Sequence, residues 1–209
     1  MEGSKAFSRN TPDFQQNTKN MAINLTKGQR VDIGLQKLGV GLGWDPSAAP
    51  GVEFDLDASA FMLAGNQQVP TEKFFVYYGN VISPDGAVES SGDDRTGGNS
   101  DGDDETLMVD LSRLDPRIDQ IIFTVTIHEF EERKQNFGQV RNSFIRIYDS
   151  SNDNELCKYE LDEDFSVETA IEFGRLYKRN ETWRFEAIGD GHSGGLETFV
   201  KKYASAYAG

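Results

Sequence analysis

Six carboxylates and four glycines are concentrated in the fifteen residues from 91 to 105. Carboxylate oxygens and backbone carbonyls are the donors that calcium and magnesium take, and glycine lets a loop curl around an ion. The stretch contains no His or Cys, which argues against zinc or copper. Calcium is favoured over magnesium because it accepts about six to eight oxygen ligands in loose geometry. The candidate ligands of this acidic loop are Asp93, Asp94, Asp101, Asp103, Asp104 and Glu105.

Three further aspartates lie in segments that have a strand pattern. Asp55 and Asp57 alternate with apolar residues, so their carboxylates lie on one face of a strand, about 7 Å apart. Two like charges on a rigid strand favour a counter-cation. Asp45, at the end of the preceding predicted strand, can face the same place. The strand aspartates and the acidic loop together predict one calcium site or two adjacent ones.

Both acidic segments also have an interpretation without an ion. The loop can be a solvated acidic segment, and the two strand aspartates can form the exposed polar face of an edge strand. An EF-hand is excluded, because aligning its first position with Asp93 puts Arg95 and Gly97 where oxygen-bearing side chains are needed.

The charge of the chain excludes a class of partner. Its 209 residues include 35 acidic and 21 basic side chains, a formal net charge of −14. Thirteen acidic residues and two basic ones lie between residues 45 and 105. Nucleic acid is not an expected partner, because phosphate binding needs clustered Lys and Arg.

Cysteine content and hydropathy predict the compartment. One cysteine and two histidines permit no internal disulfide, fit a zinc site poorly and suit a reducing cytoplasm. No apolar run approaches the roughly 20 residues that cross a bilayer, and the first residues lack the apolar core of a signal peptide. We therefore expect a cytoplasmic protein without a transmembrane segment.

Alternation of apolar and polar residues with a period of two dominates the chain and predicts short strands. They are separated by Gly, Pro, Asn and Asp, which predicts an all-β fold: a two-sheet antiparallel β-sandwich with one or two short helices near the C-terminus. The predicted strands are Gln29–Leu35, Leu38–Trp44, Glu53–Ala64, Phe74–Tyr78, Thr106–Leu111, Gln120–His128, Ser143–Asp149, Glu155–Leu161 and Thr182–Ile188.

Helical patterns are confined to the C-terminal part. Ser166–Phe173 begins with the spacing of a capping box, and Leu196–Tyr203 repeats apolar residues at helical intervals.

Residues 1–20 contain few core-forming residues and are predicted to be a disordered extension or an expression-derived segment. Residues 21–209 are predicted to form one domain, in which 83–105 is the longest loop.

Several residues with catalytic or ligand potential have simpler explanations. Gly191–Gly195 matches the G-x-S-x-G nucleophile elbow around Ser193, but no His follows the serine as the hydrolase order requires, so a Gly-rich turn is favoured. His128 is interpreted as a polar residue at a strand end, and Cys157 as a small core or half-buried residue. We predict no enzymatic activity; a hydrolase built on Ser193 is kept as an alternative.

Six short strings, in the expected order, resemble the TerD family of bacterial tellurite-resistance and stress proteins. They are Ile23–Gly28, Gly41–Asp45, Phe54–Ala60, Ser91–Gly97, Asp101–Glu105 and Phe137–Val140. The resemblance covers Met21 to about Tyr203. It implies a β-sandwich that binds calcium and acts in stress tolerance without a defined reaction, together with other proteins of the tellurite-resistance system. A metal-independent interaction module of a stress complex is the alternative.

The resemblance also assigns ligands. It places the family's Asp-Leu-Asp motif on Asp55 and Asp57, and its acidic loop motif on the six loop carboxylates named above. After Thr96-Gly97 the family usually continues with a Glu, whereas this chain has Gly98–Ser100 before Asp101. The loop is thus one residue longer and lacks one carboxylate. Asn99 or Ser100 can substitute as a neutral oxygen donor, with lower affinity.

Overall fold

The computed structural model describes residues 22–45, 53–91, 102–160 and 165–208. Within these ranges the chain forms two six-stranded sheets, which confirms the predicted β-sandwich. The strands are β1 (Ile23–Asn24), β2 (Arg30–Ile33), β3 (Lys37–Asp45), β4 (Leu56–Ala64), β5 (Phe75–Val76), β6 (Val88–Ser90), β7 (Glu105–Asp110), β8 (Ile118–Ile127), β9 (Arg141–Asp149), β10 (Glu155–Glu160), β11 (Ala170–Arg179) and β12 (Thr182–His192). The predicted N-terminal extension, residues 1–20, lies outside the described residues.

The first sheet has the strand order β1-β10-β9-β3-β7-β6, and the second has the order β2-β12-β11-β8-β4-β5. Strand β1 pairs with β10 in parallel, and the other neighbours among the described strands pair antiparallel. Alternate residues of each strand point between the sheets: Leu38, Val40 and Leu42 of β3 are at most 4% exposed. This shared apolar layer is why the sequence alternates with a period of two.

The helix predicted at Ser166–Phe173 is wrong, because β11 begins at Ala170 and lies between β12 and β8. Ile171 and Phe173 are buried in the core, 0% and 1% exposed. Glu172 points to the opposite face, where its carboxylate accepts hydrogen bonds from Lys202 and Tyr203. Strand pairing on both sides and the burial of two large side chains outweigh the local capping signal. The predicted loop 83–105 also contains a strand, β6, which pairs with β7.

Two α-helices occur in the described residues. Helix α1 (Phe130–Arg133) is a single turn that the sequence pattern did not predict, and α2 (Gly195–Tyr203) confirms the predicted C-terminal helix. Helix α2 covers the outer face of the second sheet: Phe199 lies 6.4 Å from the ring of Phe61, measured between ring centroids. No helix in the described part of the chain is long and apolar enough to cross a bilayer.

We expect Phe199→Ala to destabilise the protein by about 3–5 kcal/mol, because it removes a fully buried aromatic side chain from the contact between α2 and the sheet. Denaturant unfolding measures the change. Tyr207→Ala, which removes an aromatic side chain that is 43% exposed, serves as the control and should change stability little. Equal effects of the two substitutions would show that α2 contributes little to the folded state.

Candidate functional site

Asp55, Asp57, Asp104 and Glu105 lie at one end of the sandwich, where β3 and β8 end and β4 and β7 begin; we call it the acidic end. In the first sheet, Leu42 of β3 pairs with Glu105 of β7. In the second, Leu56 of β4 pairs with Ile127 of β8. Glu105 joins the sheets, because its Oε2 accepts a hydrogen bond from the backbone N–H of Ala58 at 2.6 Å.

Asp104 and Glu105 are buried carboxylates, 8% and 4% exposed. Asp104 Oδ2 accepts the backbone N–H of Trp44 at 2.9 Å, and the N–H of Asp104 donates to the carbonyl of Leu42 at 2.8 Å. Bonds from backbone N–H groups to ionised carboxylates are stronger than bonds between neutral groups. The chain that leaves the acidic loop is therefore fixed to β3 by Asp104 and to β4 by Glu105.

Asp103 forms an ion pair on the outer face of the first sheet. Its Oδ1 accepts a hydrogen bond from Arg146 Nε at 2.8 Å, and its side chain is 6% exposed. Arg146 also bonds Asp153 at 3.0 Å and lies over the ring of Tyr148. The hydrogen bond with Asp103 is the largest of the effects that raise the pKa of Arg146 above its usual value. Asp103 therefore has a permanent cationic partner within the protein.

Three glycines of β3 create the space for this ion pair. Gly39, Gly41 and Gly43 alternate along the strand, and each lies under a side chain on the outer face. A Cβ atom at Gly41 would overlap the carboxylate of Asp103, and one at Gly39 would overlap the ring of Tyr148. Strand β3 has glycine at every second position because the side chains of neighbouring residues fill the space that a Cβ atom would need.

A cavity of about 440 Å³ opens at the acidic end beside Asp55 and Asp57. Asp55 and Asp57 are only 5% exposed. The interpretation of this pair as an exposed polar face is therefore wrong. The cavity is lined by Glu53, Asp55, Asp57, Tyr78, His128, Glu129 and Arg133. Four carboxylates against one guanidinium and one imidazole make it predominantly negative.

Basic side chains stand beside both aspartates. Arg133 Nη2 lies 3.5 Å from Asp55 Oδ2, and His128 Nδ1 lies 3.6 Å from Asp57 Oδ2. The backbone N–H of His128 also donates to the carbonyl of Asp55 at 2.8 Å. Tyr78 packs edge-on against the imidazole, with 6.0 Å between ring centroids. Both distances are longer than the 2.8 Å between Arg146 and Asp103.

Of the predicted ligands that the structure describes, Asp55 and Asp57 line the cavity, whereas Asp103, Asp104 and Glu105 accept hydrogen bonds from other parts of the protein. Asp45 is exposed and accepts a hydrogen bond from Asn142 Nδ2 at 2.5 Å. The other predicted ligands, Asp93, Asp94 and Asp101, lie outside the described residues.

The donor types at the cavity suit calcium, because they are mainly carboxylate oxygens on a predominantly negative surface. Across 22–45, 53–91, 102–160 and 165–208, however, no three His, Cys, Asp or Glu side chains are grouped so that they could hold one metal ion. The described donors thus fit calcium in chemistry and burial, and a complete coordination shell requires further oxygens.

The sequence did not identify Glu53, Glu129 or Arg133 as parts of this site, and it assigned His128 to a strand end. His128 does follow the last residue of β8, and the turn after it carries Glu129 and Arg133, four residues apart. That spacing, directly after a strand that pairs with the Asp-Leu-Asp segment, is the signal that could have identified them.

The other motifs have structural roles. Gly191–Gly195 covers the last two residues of β12, the turn and the first residue of α2, and Gly194 and Gly195 have φ of 119° and 60°. Ser193 is exposed, and its carbonyl accepts the hydroxyl of Thr198 at 3.3 Å. Cys157 is fully buried, the first of the two predicted alternatives, and burial raises the pKa of its thiol to about 12. This thiol is therefore protonated and inert at neutral pH.

Comparison with known proteins identifies relatives over most of the chain. The family model described as the TerD domain matches residues 21–203. The tellurium resistance protein TerD of Serratia marcescens is 45% identical over 188 residues, which are 88% of this chain and 97% of that protein. General stress protein 16U of Bacillus subtilis (strain 168) is 46% identical over 189 residues, with 88% of this chain and 97% of that protein covered.

A solved structure supports the same fold. The crystal structure of a homologue of telluride resistance protein (TerD) from Streptomyces coelicolor A3(2) superposes with a TM-score of 0.63 at 24% sequence identity. The match covers 84% of this chain and all of that one. At this identity the likeness concerns the fold alone.

We expect Gly41→Ala to destabilise the protein by about 1–3 kcal/mol, because the added methyl group must displace the Asp103 carboxylate from Arg146. Thermal and denaturant unfolding measure the loss. Gly34→Ala is the matched control, since a Cβ there meets no atom within 4 Å. If Gly41→Ala is as stable as Gly34→Ala, the glycines do not exist to accommodate the ion pair.

Proposed function

The chain belongs to the TerD family, and we propose that it is a calcium-binding, non-enzymatic protein of the response to tellurium compounds and other stress. One observation carries the calcium part: Asp55 and Asp57 are nearly buried beside a predominantly negative cavity. Buried carboxylates lower the stability of a fold unless cations and hydrogen bonds compensate them. Arg133 and His128, 3.5 and 3.6 Å away, supply part of that compensation, and a divalent cation at the negative cavity is proposed to add to it.

The proposed residues divide into two groups by role. Asp55 and Asp57 are the rigid donors, because Asp57 lies in β4, paired with β8, and the carbonyl of Asp55 accepts the backbone N–H of His128. Asp104 and Glu105 hold the end of the acidic loop against both sheets through hydrogen bonds of 2.9 and 2.6 Å. The loop is proposed to supply the remaining donors: Asp93, Asp94 and Asp101. Bound calcium supplies positive charge and accepts about six to eight oxygens in loose geometry.

Two of the predicted ligands are reassigned by their contacts. Asp103 bonds Arg146 and Asp45 bonds Asn142, so we propose that both stabilise the acidic end without touching the ion. Their substitution should act on protein stability more than on calcium affinity. One ion, or two adjacent ones if the loop binds separately, fits the remaining donors.

The stress role is supported by the relatives, whose names refer to tellurium resistance and to general stress. We propose other proteins of the tellurium-resistance system as partners. The cytoplasm is the proposed location, supported by a single cysteine that is buried and free and therefore suits a reducing compartment.

We expect calcium to raise the melting temperature, because an ion that binds only the folded chain stabilises it by about 2.7 kcal/mol at a hundredfold excess over its dissociation constant. Differential scanning calorimetry in excess calcium and in chelator measures the difference, and magnesium at the same concentration is the control for ionic strength. Coinciding melting curves in all three conditions would instead support a metal-independent interaction module.

We expect Asp55→Asn combined with Asp57→Asn to lower calcium affinity at least about a hundredfold, because two charged donors become neutral. Isothermal titration calorimetry measures the affinity. Asp119→Asn is the matched control for charge: Asp119 is exposed and lies near the start of β8, away from the acidic end. The calcium affinity of the Asp119→Asn variant should stay within about twofold of that of the parent, since an exposed distant charge is screened. Unchanged affinity in the double variant would rule out this donor pair.

A further inference from the structure

The turn that carries Arg133 has an unusual backbone. Helix α1 is flanked by Glu129 with φ of 51° and Lys134 with φ of 54°. Left-handed conformations in non-glycine residues cost free energy, and they persist where the surrounding structure holds them. Here the N–H of Arg133 donates to the carbonyl of Glu129, and that of Gln135 donates to the carbonyl of Phe130, both at 3.0 Å. The turn thus presents its side chains to the cavity from a fixed backbone.

Arg133 has two carboxylate partners. Its Nη2 lies 3.5 Å from Asp55 Oδ2, inside the cavity, and 3.1 Å from Glu129 Oε2, whose side chain is 49% exposed. The Arg133 side chain is itself 32% exposed. Of the residues that line the described cavity, Arg133 is the one that carries a permanent positive charge.

The two ion pairs at the acidic end differ in strength. Arg146 bonds Asp103 at 2.8 Å and is 18% exposed, packed over the Tyr148 ring. The distance from Arg133 to Asp55 is longer, 3.5 Å, and the Arg133 side chain is more exposed than that of Arg146. The Arg133–Asp55 pair is therefore weaker and more easily broken. A guanidinium that leaves Asp55 keeps its shorter contact with Glu129. The first pair is a fixed part of the fold, and the second is exchangeable.

We propose that Arg133 is a resident counter-cation of the cavity, which partly neutralises Asp55 in the ion-free protein and competes with a divalent cation for it. The inference rests on the proposed function of the same cavity and concerns its regulation. In the ion-free state the guanidinium lowers the repulsion between Asp55 and Asp57. In the loaded state it withdraws towards Glu129 and solvent. Competition of this kind lowers the calcium affinity and sets the concentration at which the site fills.

The test is the pair of variants Arg133→Gln and Arg117→Gln in the full chain. Gln keeps much of the length of the side chain and removes the charge. Arg117 precedes β8, at the end opposite His128, and pairs with Asp115 in a largely exposed position. It therefore controls for the loss of one positive charge. Calorimetric titration with calcium alone should give Arg133→Gln an affinity about three- to tenfold higher than the parent. Arg117→Gln should stay within about twofold of the parent.

A second readout follows the ion-free state. In chelator, Arg133→Gln should melt at a lower temperature than the parent, because Asp55 and Asp57 lose a compensating charge. In excess calcium the difference should disappear. Arg133→Lys, which keeps the charge, should follow the parent in both conditions.

The outcomes separate the two proposals. Calcium binding by the parent with equal or lower affinity in Arg133→Gln would overturn the competition and leave the calcium site standing. Absence of saturable calcium uptake by the parent would overturn the proposed function, and the competition with it.

Discussion

Negative charge held close to the apolar core at one end of the sandwich is the constraint on which the other features depend. Asp55, Asp57, Asp104 and Glu105 are each less than 9% exposed. Charges at that depth require hydrogen bonds or cations. Asp104 and Glu105 receive backbone N–H groups of β3 and β4. Asp55 and Asp57, at the start of β4, lie 3.5 Å from Arg133 and 3.6 Å from His128 and line the cavity proposed for the ion.

The same constraint explains two features outside the cavity lining: the glycines of β3 and the link between the sheets through Glu105. The alternating glycines of β3 accommodate the side chains of β9 and the Asp103 carboxylate, so that Arg146 can reach it. Glu105 links the sheets because the β4 backbone at Ala58 has an N–H available to it. A helix would present neither the flat face nor the alternating backbone donors, and the all-β fold is therefore suited to fixing the ends of an acidic loop.

Sequence patterns predicted the elements whose signals are local and periodic, such as β3, β8 and the helix at Leu196–Tyr203. They failed at β11, where the capping spacing from Ser166 indicated a helix while pairing with two strands imposed an extended chain. The position of Asp55 and Asp57 side by side on one face of the chain could be predicted from alternation alone. Arg133 could not, because its approach to Asp55 depends on a left-handed turn and on the pairing of β4 with β8.

Backbone amide NMR during a calcium titration tests the central claim most directly. The amides of Trp44 and Ala58 bond the carboxylates of Asp104 and Glu105, whereas the amide of Trp183 lies near the other end of the second sheet, where it pairs with Ile33. We expect saturable shifts of the first two signals with one common affinity and no shift of the third. Signals of Trp44 and Ala58 that stay in place up to millimolar calcium would contradict an ion at the acidic end.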